Sequence, residues 1–170
     1  MPFDGLHVLS LESRRAAEME SLIRKQGGEP FVAPSMREVP LAEEDAVFAF
    51  ADRLFAGGFD MMVLLTGVGT RQLNRVLSGR YGPDAFAAAL RKLTVAARGP
   101  KPVAALRELN VTPAVVAPSP NTWRELLAAL AGRPERRLAV QEYGRSNLEL
   151  LDALRARGAE VTPVRVYEWG

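Results

Sequence analysis

The chain has 170 residues, 48% of them apolar, and a net charge of +2, enough for one sizeable core or two small ones. No apolar run approaches the roughly 20 residues of a membrane helix, and the opening M-P-F-D-G-L-H lacks the basic, apolar, small-residue plan of a signal peptide. With no cysteine and one histidine, His7, metal clusters and a Ser-His-Asp triad are disfavoured; the small charge surplus implies no nucleic acid, and a reducing cytoplasm is the expected setting.

Leu6 to Leu9 is a short apolar strand. Glu12 to Gln26 has helical spacing, with Ala16, Met19, Leu22 and Ile23 on one face and Gly27-Gly28 as the stop. Pro30 to Ala33 is a second strand. Two strands and a helix cannot bury themselves, so this β-α-β unit needs a partner. Pro34 to Pro40 is extended by its prolines and reads as a linker. Glu43, Glu44 and Asp45 favour a helix N-terminus; that helix should turn Ala46, Val47, Phe50, Leu54 and Phe55 inward and stop at Gly57-Gly58.

Met61 to Leu65 is an apolar run of strand length, stopped by T-G-V-G at 66–69, and Thr70 opens a helical pattern with Leu73, Val76 and Leu77. Pro83-Asp84 starts another helix. Thr94 to Ala97 is a strand, followed by the Gly99-Pro100 turn and a helix in which Pro102 has no N–H to lose. Pro113 to Ala117 is a strand, and Asn121 or Thr122 can cap a helix from Trp123 to Ala131. Arg137 to Val140 is a strand, and Q-E-Y-G-R-S-N leads into a helix ending at Gly158. Val161 to Val166 is the last long extended piece.

Strand and helix alternate from Asp60 onward with short connections, which predicts a doubly wound parallel α/β sheet. Right-handed crossovers then bring 66–70, 98–101, 118–122 and 143–146 to one rim. The turn and first helical turn of Thr66, Gly67, Val68, Gly69, Thr70 and Arg71 should offer outward backbone amides as an anion cradle. G-V-G-T-R-Q has Gln72 where a dinucleotide fingerprint needs a small residue, and no Walker motif or G-x-S-x-G occurs. No pair of carboxylates is set by spacing as acid and base, and no nucleophile stands out. An enzyme with this sequence would hold a reactive substrate rather than attack it.

T-G-V-G-T-R-Q-L after a strand, A-A-R-G-P-K-P-V-A-A-L-R-E-L-N-V in the middle, and R-G-A-E-V-T-P-V-R-V-Y-E-W at the end together resemble uroporphyrinogen-III synthase over essentially the whole chain. The resemblance implies two flavodoxin-like α/β domains, the second inserted into the first. Residues 1–35 would be part of the first domain, 36–40 a linker, 41–163 the inserted domain and 164–170 the return linker. It implies a lyase of tetrapyrrole (heme, siroheme, cobalamin) biosynthesis. Such an enzyme removes water from hydroxymethylbilane, a linear polycarboxylate, and inverts its last ring through a spiro intermediate as the macrocycle closes. No metal or organic cofactor would be needed.

By the same resemblance, Thr66, Gly67 and Gly69 match the family's first strand-end turn, and Arg98, Gly99 and Lys101 its second. Tyr143 and Gly144 fall at its third turn, where Gln141-Glu142-Tyr143 departs from the family pattern. Tyr167 matches a linker tyrosine suspected of protonating the leaving hydroxyl, which a phenol of pKa near 10 can do at neutral pH. The family completes its first domain with a segment after the second linker, whereas this sequence ends at Gly170; an open sheet edge predicts self-association. A different class of function is a non-catalytic module that binds an anionic metabolite within a regulatory protein.

Overall fold

The computed structural model describes residues 2–35, 38–40 and 44–169; the side chains of 38–40, 44 and 167–169 lie outside the description. The chain divides into two compact units, residues 1–39 with 169–170, and residues 40–168.

The first unit is β1 (His7–Ser10), α1 (Ala16–Lys25) and β2 (Glu29–Val32). The strands pair in parallel, with Leu9 opposite Phe31 and His7 opposite Glu29. Ile23 is the buried residue of α1. Gly28 turns the chain into β2 with no room for a side chain: a Cβ there would lie 2.9 Å from Ile23. Leu6, Leu9, Leu22 and Phe31 are more than half exposed. The expected apolar face of α1 therefore holds at Ile23 but leaves Leu22 open. β3 (Glu38–Pro40) pairs with β9 (Tyr167–Trp169) in a separate two-stranded sheet, and the boundary between the units falls inside both strands.

The second unit runs α2 (Glu44–Phe55), β4 (Met61–Leu64), α3 (Gly67–Tyr81), α4 (Ala85–Leu90), β5 (Thr94–Ala97), α5 (Pro100–Glu108), β6 (Val115–Val116), α6 (Trp123–Ala129), β7 (Arg137–Glu142), α7 (Leu148–Ala156) and β8 (Glu160–Arg165). Its five strands form a parallel sheet in the order β6-β5-β4-β7-β8. This is the doubly wound flavodoxin-like class expected from the sequence. The crossover direction reverses between β4 and β7; in flavodoxin itself the reversal lies between the first and third strands.

β4 is the central strand and is buried on both faces. Met61, Val63 and Leu65 pack with Leu126 and Leu130, and with Leu150, Leu151 and Leu154 of α7. Met62 and Leu64 alternate to the opposite face, as strand geometry requires. Val47, Phe50 and Leu54 of α2 are buried, but Ala46 and Phe55, expected inward, are exposed. Ala46 lies on the outer side of the helix, and Phe55 sits in its last turn, where its ring packs edge-on against Tyr81.

Candidate functional site

At the end of β4, Thr66 leaves the strand in extended conformation and becomes the N-cap of α3; its hydroxyl accepts from Gly69 N at 3.0 Å. The helix thus begins at Gly67, not at Thr70 as its apolar spacing suggests. The two glycines of T-G-V-G form the first turn of the helix rather than a loop before it. Close packing explains them. A Cβ on Gly67 would lie 2.5 Å from the Lys101 carbonyl in the first turn of α5, and one on Gly69 would collide with the Gln141 carboxamide.

The expected cradle of free amides is consequently smaller. Thr66 N donates to Gln141 Oε1 (3.1 Å), Gly69 N to Thr66 Oγ1, and Thr70 N to the Thr66 carbonyl. The amides of Gly67 and Val68 make no hydrogen bond among the described residues. Thr70 is fully buried, and its hydroxyl donates to the Thr66 carbonyl at 2.7 Å. Arg71 is committed to α5: its guanidinium grips Glu108 at 2.6 and 2.9 Å, which raises the arginine pKa and lowers that of the glutamate.

The other three strand-end turns meet this corner. Arg98 N donates to the Leu64 carbonyl, extending the β4–β5 ladder by one step. Its guanidinium lies 5.4 Å from the centre of the Tyr143 ring, within cation–π range. Arg98 and Tyr143 thus join the exits of β5 and β7, the two neighbours of β4. Gly99 is buried against Asn121, whose Cβ would be 3.0 Å from an added methyl. Asn121 has a positive φ of 61° and donates to the Ala117 carbonyl. Thr122, one of the two expected caps, opens α6 in a capping box with Glu125. Gly144 has a positive φ of 56°, which lets the β7 exit turn sharply.

Two residues expected in a turn belong to the strand. β7 runs on through Gln141 and Glu142, both essentially inaccessible to solvent. The Gln141 amide donates to the Glu142 carbonyl (2.6 Å) while its oxygen accepts from Thr66 N. The Glu142 carboxylate accepts from Ser146 Oγ (2.8 Å) and Asn147 N (3.0 Å), and Asn147 caps α7. Their polarity hides them: an apolar run ending at Val140 gives no sign that the next two residues stay in register with the sheet. Ser146 gives its hydroxyl hydrogen to the Glu142 carboxylate, a bond that holds the turn into α7.

The rim also carries cations. Arg98 is half-buried, Lys101 and Arg145 are exposed, and among the described residues none of the three is in an ion pair. At the opposite ends of the strands Arg137 pairs with Asp60, Arg133 with Glu135 and Arg53 with Glu160. Unpaired cations beside helix N-termini suit an anionic ligand. Among the described residues no group of three or more His, Asp or Glu could hold a metal ion, and no helix is long and apolar enough to cross a membrane. Tyr167 opens β9, but its side chain lies outside the described residues.

Comparison with known proteins bears on this geometry. The sequence model of the family described as uroporphyrinogen-III synthase HemD matches residues 17–170. A mutant uroporphyrinogen III synthase from Thermus thermophilus superimposes with a TM-score of 0.76 at 29% identity, over 97% of this chain and 63% of that one. The wild-type Thermus enzyme gives a TM-score of 0.68 at 31% identity, over 97% and 62%. The uncharacterized protein YjjA of Bacillus subtilis strain 168 is 30% identical over 161 residues, 92% of this chain and 58% of that protein. The present chain thus spans just under two thirds of these relatives. Sequence and fold agree across nearly all of its length, and the chain belongs to the uroporphyrinogen-III synthase family.

Proposed function

We propose that this chain forms the substrate-holding rim of a uroporphyrinogen-III synthase, a lyase that closes hydroxymethylbilane with inversion of its last ring. The observation that carries the reading is the meeting of four strand-end turns on one rim bearing unpaired cations, in a chain of this family. Thr66, Gly67, Val68, Gly69, Thr70 and Arg71, with Arg98, Gly99, Lys101, Tyr143 and Gly144, are the proposed binding set. Within it the Gly67 and Val68 amides, Arg98 and Lys101 take substrate carboxylates. Gly69, Thr70 and Arg71 shape the corner rather than touch ligand. Residues 1–35 act as part of the first domain and 41–163 as the inserted one, with 36–40 and 164–170 as the crossings.

The chemistry asks little of the protein beyond placement. The C–O bond of the terminal hydroxymethyl group breaks, and a proton from the Tyr167 phenol leaves with the hydroxyl as water. The far ring attacks the resulting electrophile through its already substituted carbon, giving the spiro intermediate; that ring's old bridge then breaks and re-forms at its free carbon, and the proton lost there restores the phenol. A second reading, a module that binds a polycarboxylate without turning it over, draws on the internal use of the Thr66 and Gly69 amides, which leaves fewer donors for ligand.

The test is the isomer ratio of uroporphyrin formed from freshly made hydroxymethylbilane. Without catalysis the bilane closes to the type I isomer. Type III above that background is the expected result, and Tyr167→Phe should then lower it at least tenfold. Type I alone, with uroporphyrin still bound, would replace the synthase reading by the binding module.

A further inference from the structure

We infer that Gln141 is a positioning residue for ligand binding at the rim, acting through the Thr66–Gly69 turn. The inference rests on the proposed polycarboxylate site. Gln141 is fully buried at the end of β7, next to the point where the crossover direction reverses. Its carboxamide uses both ends. The oxygen takes Thr66 N at 3.1 Å, and the nitrogen gives to the Glu142 carbonyl at 2.6 Å and lies 3.3 Å from Thr66 Oγ1. Gly69 has no side chain in the space that carboxamide fills.

A buried amide with both ends satisfied is rigid, because any rotation strands a polar group away from water. The Thr66 turn is therefore pinned to the β7 exit. The pin continues beyond it: Glu142 takes Ser146 Oγ and Asn147 N, and Asn147 starts α7. One chain of buried and part-buried hydrogen bonds thus sets the first turns of α3 and α7 relative to each other. An apolar residue at 141 would fill the same core. The polar choice is explained if the turn must hold the Gly67 and Val68 amides at a fixed angle toward a ligand carboxylate.

The test uses Gln141→Met, which keeps the shape and removes both hydrogen bonds, and Gly69→Ala, which keeps the carboxamide and takes its space. Because the amides would grip the same carboxylate in substrate and product, loosening them removes uniform binding. For Gln141→Met we expect KM for hydroxymethylbilane and Kd for uroporphyrin I, read by fluorescence quenching, to rise about tenfold, with kcat within about twofold. The Thr66 amide should lose its protection from hydrogen exchange. The double variant should bind no more weakly than the worse single one, because both act on one element.

An effect confined to melting temperature, with Kd within about twofold of the parent protein, would overturn the inference, as would additive single effects. If Gln141→Met does not fold, Gly69→Ala reads the same quantities. A parent protein that binds uroporphyrin I but makes no type III isomer would sink the synthase reading alone, since the Kd comparison still decides the role of Gln141. No uroporphyrin binding at all would end both.

Discussion

Asp60 accepts from the Arg137 guanidinium (2.6 Å), from Arg137 N and from Arg136 N, and these bonds hold its carboxyl at about 2. Its unfolded value is about 3.9. The stabilisation is therefore complete above about pH 4 and disappears as pH falls through about 2. With the side chain 32% exposed, solvent screening trims the effect to about 1 kcal/mol. Asp60→Asn should lower stability by that amount in urea melts at pH 7, and the gap should close between about pH 4 and pH 2. Arg98 offers a contrasting case. Its stack on Tyr143 is worth about 0.5–1 kcal/mol, so Arg98→Ala should barely move the urea midpoint while weakening uroporphyrin binding about 3- to 10-fold. The residue types of the rim are legible in sequence, since turns 66–70, 98–101, 118–122 and 143–146 all come together there. The roles of Gln141, Glu142 and Asn147 are not, because a polar side chain at a strand end looks the same in sequence whether it faces water or a buried partner.

Helix α3 shows how one element answers to two demands. Gly67 and Gly69 sit in its first turn under α5 and Gln141, whereas Gly79 in its last turn has nothing within 4 Å of an added Cβ. Gly67→Ala should cost about 1–3 kcal/mol, because a backbone carbonyl must give way. Gly79→Ala should stabilise by about 0.5–1 kcal/mol through helix propensity alone. Thermal melts of the two variants should move in opposite directions, and equal shifts would contradict the packing account. Thr66→Ala should lose about 1 kcal/mol of capping. Sequence periodicity locates this helix but puts its start at Thr70, because glycine carries no hydropathy signal and resembles a turn. β5 is legible to the residue, since its apolar run ends at charged and Gly-Pro neighbours. β6 is shorter than Pro113–Ala117: Val115 and Val116 pair in register with β5, and the flanking Ala114 and Ala117 amides each add one bond to a β5 carbonyl.

At the scale of the whole chain, the first unit exposes what the second buries. Leu9 and Phe31 face each other across the strand pair and are 60% and 67% exposed, so this unit is expected to associate with a second copy. Sedimentation should show a mass that rises with concentration, and Phe31→Ser should reduce it; a constant monomer mass would refute the prediction. The alternation reveals the elements of both units, but in the first a pattern of three elements says what they are and not what covers them. The second unit carries a different asymmetry. Three ion pairs, Arg137–Asp60, Arg133–Glu135 and Arg53–Glu160, lie at the N-terminal ends of the strands, while Arg98, Lys101 and Arg145 at the other ends are in no ion pair among the described residues. If the rim binds a polyanion as proposed, its cations should act over roughly one Debye length, about 8 Å at physiological salt. Its encounter rate with uroporphyrin should fall severalfold between about 50 and 500 mM NaCl in stopped-flow mixing, with a smaller change in the dissociation rate. In dilute salt, collision frequency would set how fast ligand arrives; in concentrated salt, the fit of the corner around Thr66 would set how long it stays.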